Sequence, residues 1–232
     1  MKLTGAIRNI STLSSQEKER MFALMTAHYE NVAPEKFLRD LSEKDGVLVF
    51  QDDDGEIQGF TTFLLTTQTV ANRPIQALFS GDTIINKTCW GQQELFRMFA
   101  ALLRELIERE TPPLYWFLLS KGIRTYLLLP MFFRAFYPNY LTPTPPETRV
   151  IMGALARAKF GAWYFEQPGI VRVWPPADRL TAELAAIPDS KREQPHVRFF
   201  LDRNPGYVNG DELVCLAEIS EANLTLAARR FM

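Results

Sequence analysis

The chain has 232 residues, of which 47% are hydrophobic and 23% charged, a balance that fits a packed globular protein and excludes a disordered one. Its 26 basic and 27 acidic side chains leave a formal net charge of −1, so no electrostatic pull toward nucleic acid or an anionic membrane is expected. At this length one main core with an elaboration is expected, not two equal halves.

Along the chain, Ser14 and Glu17 stand at capping-box spacing and predict a helix start, with Phe22, Met25 and Tyr29 on one face. Pro34 suits a first helical turn and predicts a second short helix with Phe37, Leu38 and Leu41 inward. The period then changes. Val47, Leu48, Val49 and Phe50 form a β-rich run, closed by Asp52-Asp53-Asp54-Gly55, and a second run follows over 56–68, a strong hairpin signal. The aspartates lack the spacing and the later glutamate of a calcium loop and read as a plain turn. After a turn at Asn72-Arg73-Pro74, a third strand is predicted over 75–85.

Helical period returns over 91–109, with Leu95, Phe99, Leu102, Leu103 and Leu106 as the buried stripe. The apolar run 114–119 has the length of a strand buried on both faces, and a helix is predicted over 123–136. Beyond the prolines at 143, 145 and 146, the pattern suggests a helix over 148–165, a break at Pro175-Pro176, a short helix over 180–186, and strands over 196–201 and 212–219. A sheet with helices on both faces follows from this order.

Cys89 and Cys215 lie far apart and form no CxxC or Cys/His cluster, so neither a metal site nor a disulfide framework is expected. The start, Met1-Lys2-Leu3-Thr4-Gly5, has no apolar signal core. The most apolar stretch, 114–136, is interrupted by Lys121, Gly122, Arg124, Pro130 and Arg134, so no membrane span is expected and the expected location is cytoplasmic. His28 reads as a half-buried helix residue, and His196 has no visible acidic or nucleophilic partner. No G-x-S-x-G elbow is present.

The most informative segment is the strand 75–85 running through Asn86, Lys87, Thr88, Cys89, Trp90, Gly91, Gln92 and Gln93 into the long helix. Helix N-termini present unpaired N–H groups to anions, and a glycine there admits a phosphate to the main chain; a single glycine at such a turn also serves as an ordinary structural turn. In this order of elements, over roughly residues 5–140, the chain resembles the GNAT superfamily of acyl-CoA N-acyltransferases. The resemblance implies an α/β fold with a mixed, mostly antiparallel central sheet and an elaborated C-terminal segment: a core over 1–140, with 141–232 completing the sheet and the acceptor side. The family's pyrophosphate loop, Q/R-x-x-G-x-G/A, falls on Thr88, Gly91 and Gln93, of which only Gly91 matches.

What the resemblance implies for function is acyl transfer from acyl-CoA, with an acyl group of acetyl length or longer, to a small-molecule or peptide amine, with no metal. An acyl carrier protein is an alternative donor. Gly81, Ile84, Ile85, Thr88, Trp90, Gly91, Gln92 and Gln93 would line the donor. Gly81 would mark a strand bulge that frees an N–H for the thioester carbonyl. Asp82 would serve as general base or else order the bulge. Tyr126, or failing it Tyr137, would protonate the leaving thiolate, the competing role for each being a core tyrosine. The apolar run 127–133 would pack the core or line an acyl tunnel. The alternative function is a fold of this type that binds an acyl ligand, a nucleotide or a protein without turnover.

Overall fold

The computed structural model of the chain describes residues 2–109, 112–174 and 178–232, so the break expected at Pro175-Pro176 lies outside the described residues. Its first third holds β1 (Thr4–Asn9), α1 (Ser15–His28), β2 (Tyr29–Glu30), α2 (Pro34–Ser42), β3 (Gly46–Gln51), β4 (Ile57–Val70) and β5 (Arg73–Ile85). Next come α3 (Glu94–Ile107), β6 (Leu114–Ser120) and two short helices, α4 (Ile123–Tyr126) and α5 (Leu128–Phe132). The remainder comprises α6 (Pro146–Phe160), β7 (Tyr164–Phe165), β8 (Ile170–Val171), β9 (Arg179–Leu180), α7 (Ala182–Ala185), α8 (Asp189–Arg192), α9 (Pro195–Arg203), β10 (Glu212–Glu218) and α10 (Leu226–Arg229).

Local chemistry sets these boundaries. The Ser14 hydroxyl accepts from Glu17 N at 3.2 Å and the Glu17 carboxylate accepts from Ser14 N at 2.8 Å, a complete capping box that opens α1. At the β3–β4 turn one Asp52 oxygen accepts from the N–H groups of Asp54 and Glu56, which is turn chemistry.

The strands form an eight-stranded sheet in the order β1-β3-β4-β5-β6-β10-β8-β7, with β2 and β9 as a separate pair. Every neighbour pair in the large sheet is antiparallel except β5 and β6. Leu48 and Phe50, Leu78, and Trp116 and Leu118 pack on one face under α3, α5 and α9. On the other face Val47, Val49 and Ile84 meet α1 and α2, and Ala77, Phe117 and Val214 meet α6. The fold is therefore mixed α/β, mostly antiparallel, with helices on both faces. The last ninety residues supply β10, which lies inside the sheet next to β6.

Several expectations are corrected. β1 precedes the first helix and forms a sheet edge; its polar, half-exposed sequence carries no strand signal, and the N–H groups of Leu3, just before it, and Gly5 donate to the side-chain oxygens of Gln92 (2.9 Å) and Glu94 (3.0 Å). Leu38 is 49% exposed and lies outside the core. The helix expected over 123–136 divides into α4 and α5, because Pro130 lacks an N–H and is tolerated only in a first turn, which is where α5 places it. The helix expected over 148–165 stops at Phe160, where Gly161 takes a φ of 53°, and Tyr164–Phe165 forms β7. The strand expected over 196–201 is helix α9: Pro195 occupies its first turn, and Val197 and Phe200 at i, i+3 are the buried pair.

Candidate active site

β5 and β6 run side by side only from Gln76↔Leu114 to Ser80↔Leu118. Beyond Ser80 the two strands part. On its other side β5 pairs with β4 at Thr62↔Gly81 and again at Phe60↔Ile84, so Asp82 and Thr83 stand opposite Thr61 alone. Two residues against one is a β-bulge, which bends the strand that carries it. The left-handed residue is Asp82, with φ 44°; aspartate is among the few non-glycine residues that adopt this region. Gly81 sits beside the bulge, and a Cβ there would meet its neighbours at ordinary contact distances of 3.4–3.8 Å. The bulge is held from β4: the Thr61 hydroxyl bonds the Thr83 hydroxyl at 2.8 Å and donates to Gly81 O at 3.3 Å.

Two cavities meet across this parting, and Tyr29, Thr83 and Thr125 line both. The first, of about 340 Å³, is mainly apolar, with Leu3, Ile85, Leu95, Phe96, Ile123 and Leu128 among its walls. The Trp90–Gln92 turn also lines it; there the Trp90 indole donates to Ile85 O at 2.9 Å and lies under the Arg124 guanidinium at 4.7 Å. Buried His28 places a ring nitrogen 3.1 Å from the same carbonyl.

The second cavity, of about 330 Å³, is charged. Lys121, which directly follows β6, is its centre: the ammonium pairs with the Asp178 carboxylate, donates to Asp178 O at 3.0 Å, and lies 3.6 Å from Glu212 and 5.3 Å from the Tyr29 ring centre. Burial alone would pull Lys121 down, but the carboxylates of Glu212 and Asp178 overcome it and hold the pKa above the usual lysine value. Burial pushes Glu212 up, with Lys121 offsetting part of the effect. Asp82 is pushed up in the same way, by burial first and against the pull of Lys44 and Lys121. Burial likewise raises Tyr29, so its phenol stays protonated at neutral pH.

The expected donor and base residues thus fall into two groups. Asp82 and Gly81 line the charged cavity, and Ile85, Trp90, Gly91 and Gln92 the apolar one. Ile84 packs under α1 and α2, and Thr88 and Gln93 face solvent away from both cavities. Gly91 has a φ of 89° and open space around its Cβ position, so backbone handedness demands the glycine there. The first turn of α3 carries Glu94, whose carboxylate accepts from Gly5 N and pairs with Arg97 at 3.3 Å, so a carboxylate already occupies the end of the helix where an anion would bind. Of the run 127–133, Leu128 reaches the apolar cavity, while Leu129, Phe132 and Phe133 are core.

The structure does not bring either expected acid into the parting. Tyr126 is fully buried and donates its hydroxyl to Pro138 O at 2.9 Å; α4 turns its neighbour Thr125 toward the cavities instead. Tyr137 exchanges backbone hydrogen bonds with Leu216 and lines a separate groove with Tyr115 and Glu218. Sequence reading passed over Tyr29, Lys121, Thr125, Asp178 and Glu212, which come together only through the β6–β10 pairing and the packing of β2 beside them. His196 packs against Tyr126, Phe136 and Tyr140, with its Nδ1 buried and unpartnered among the described residues. Among the described residues no cluster suited to a metal ion occurs, and no helix is long and apolar enough to cross a membrane.

No protein-family model and no curated protein matches the chain. Among solved structures, the chain is similar to a conserved protein of unknown function from Enterococcus faecalis (14% identity, TM-score 0.42, covering 57% of this chain and 33% of that one). It is similar also to a GNAT family N-acetyltransferase from Escherichia coli in complex with CoA (18%, 0.38, 52% and 65%) and to a Trypanosoma brucei acetyltransferase (17%, 0.39, 61% and 99%). The chain thus spans about a third and just under two thirds of the first two.

Proposed function

We propose that the chain transfers an acyl group from a thioester of the phosphopantetheine type, acyl-CoA or an acylated carrier protein, to a small amine. The observation that carries this reading is the meeting of an apolar and a charged cavity at the bulge where β5 leaves β6. The acyl group would lie in the apolar cavity, with its carbonyl at the strand edge freed beyond Ser80. The amine would sit in the charged cavity and lose a proton to Asp82. Its nitrogen then forms the C–N bond, the C–S bond breaks, the departing thiolate takes a proton from a phenol, and that phenol is restored by the second proton the nitrogen sheds. The phenol that lines both cavities is Tyr29, and we assign it that donation in place of Tyr126.

Glu94 favours a second reading of the donor. With an acidic first turn at α3, the adenosine pyrophosphate of CoA would meet the Glu94–Arg97 pair there, and Arg124 is the arginine that lines the apolar cavity. A carrier-protein donor, which has a phosphopantetheine arm and no adenosine pyrophosphate, meets no such obstacle. The same feature suits a non-catalytic acyl-binding module.

The test is release of free thiol from acetyl-, octanoyl- and palmitoyl-CoA and from acylated carrier protein, with a panel of amines. Tyr29→Phe is expected to lower turnover about 10²-fold or more, the range for loss of a general acid. Tyr126→Phe is expected to keep turnover and lose about 1 kcal/mol of stability with its buried hydrogen bond. The reverse pattern would restore Tyr126 as the acid, and no thiol release from any donor would leave the binding module.

A further inference from the structure

The charged cavity is lined by four lysines and five carboxylates, yet two of these lysines form no ion pair among the described residues. Lys121 is matched by Asp178 and Glu212, and Lys36 by Asp40 (2.6 Å) and Asp178 (3.5 Å). Lys44 and Lys159 line the same cavity, and neither forms an ion pair among the described residues. Both ammonium groups sit over one ring, that of Phe79, at 5.3 Å and 4.5 Å from its centre. The Lys44 stem runs beside Gly81, its Cε 3.8 Å from where a Cβ would stand, so the pair borders the bulge that presents Asp82.

Two half-buried like charges held over one ring are unfavourable unless something compensates. A cation over an aromatic face recovers roughly 0.5–2 kcal/mol, which acts against the desolvation and mutual repulsion of the pair. Burial first, and then Lys44, push the Lys159 pKa below the ordinary lysine value, with Glu43, Asp40 and Asp82 opposing in part. An arriving oxyanion would relieve both effects, and charge-assisted bonds to it are worth about 1.5–3 kcal/mol each.

We propose that Lys44 and Lys159 form a carboxylate-binding subsite and that the acceptor is an amino acid-like zwitterion, its carboxylate on this pair and its amine toward Asp82. This rests on the acyl-transfer reading for the direction of the amine but not for the anion subsite. The two lysines without an ion pair among the described residues stand at Phe79 and Asp82 stands at the reacting end, as such a ligand requires, with Glu43 a further carboxylate of the lining. A cavity of about 330 Å³ suits a small acceptor of this kind.

Product-like probes separate the two ideas. Thermal unfolding of the full chain would be measured with a series of N-acetyl amino acids, with the matching N-alkylacetamides that lack the carboxylate, and with inorganic phosphate. The expected result is a rise in Tm of several degrees at saturation for a carboxylate-bearing probe only, abolished in Lys159→Met and in Lys44→Met. In turnover, the same variants should raise KM for an amino acid acceptor about 10–100-fold and leave KM for the decarboxylated amine unchanged. Equal shifts with and without the carboxylate, shifts that survive both variants, or a response to phosphate alone would overturn the proposal. Carboxylate-dependent binding without turnover would keep the subsite and sink acyl transfer. Turnover indifferent to the carboxylate would do the opposite. Folding of Lys159→Met is secured by the repulsion it removes, and its unliganded Tm is the check.

Discussion

Asp82→Asn is expected to lower thiol release about 10²–10⁴-fold while raising the stability of the protein at neutral pH. Both halves follow from the bulge. Asparagine tolerates the left-handed backbone as well as aspartate does, so the strand geometry that φ 44° requires is kept. What is lost is the carboxylate able to take a proton from an ammonium. In the wild type, activity should fall as pH drops through the raised Asp82 pKa, above the ordinary carboxylate value of 3.8, and the variant's residual rate should lack that limb. For stability the sign runs the other way. A carboxyl whose folded pKa is raised holds its proton more tightly when folded, so its ionisation weakens the fold as pH rises past 3.8 and through the folded pKa. Asparagine removes that cost. A gain of about 1 kcal/mol would appear as 2–4 °C in Tm at pH 7 and would vanish below pH 3.8. Full activity in Asp82→Asn would leave Asp82 as a bulge residue only. A fall in Tm with loss of activity would mean that the variant had disturbed the strand.

Much of the fold was legible because its causes are local. The Ser14–Glu17 box, the Asp52–Gly55 turn and the apolar stripe of α3 each declare themselves within a dozen residues. The bulge was half legible: a glycine inside a strand marked the place, but the residue in the left-handed conformation is its neighbour Asp82. Elements failed where a short apolar segment suits either period. Phe199, Phe200 and Leu201 read as β-rich, yet the decisive features are Pro195 at a first turn and the burial of Val197 and Phe200 on one helical face.

The site was less legible than the fold, since its residues are gathered from α1's end, β5, β6, α6 and β10. Tyr126 fits a family pattern by order along the chain, but a helix of four residues turns its third residue, Thr125, to the cavities and buries the fourth. Lys121 and Glu212 carry no motif. Their relation exists only because β10 pairs with β6 so that Leu213 faces Ser120, setting Glu212 beside the lysine that follows β6. No spacing rule within either segment encodes that.

This dependence on long-range pairing makes Lys121→Met the most damaging single change expected in the cavity. Its ammonium has 14% side-chain exposure and is shared by Asp178 and Glu212, at 9% and 22%. Removing one partner of a buried pair leaves the other charge uncompensated, at about 3–5 kcal/mol. For a protein of this size that is a fall in Tm of roughly 6–20 °C at pH 7. The loss should shrink as pH is lowered, for two reasons of the same sign. Burial pushes Asp178 up in the wild type, but Lys121 and Lys36 outweigh it and hold its pKa below the ordinary value, so its stabilising share is lost as pH falls through that depressed pKa. In the variant, burial acts on Asp178 without the lysine that dominates it and on Glu212 without its main opposing charge, so both carboxyls take up protons at higher pH and the penalty is relieved. Adding Asp178→Asn to the variant should recover part of the loss, because Lys36 still keeps Asp40 at 2.6 Å. A loss below about 1 kcal/mol, or one constant between pH 7 and pH 5, would mean that water replaces Lys121 in the cavity and that the charged wall stands without its central ammonium.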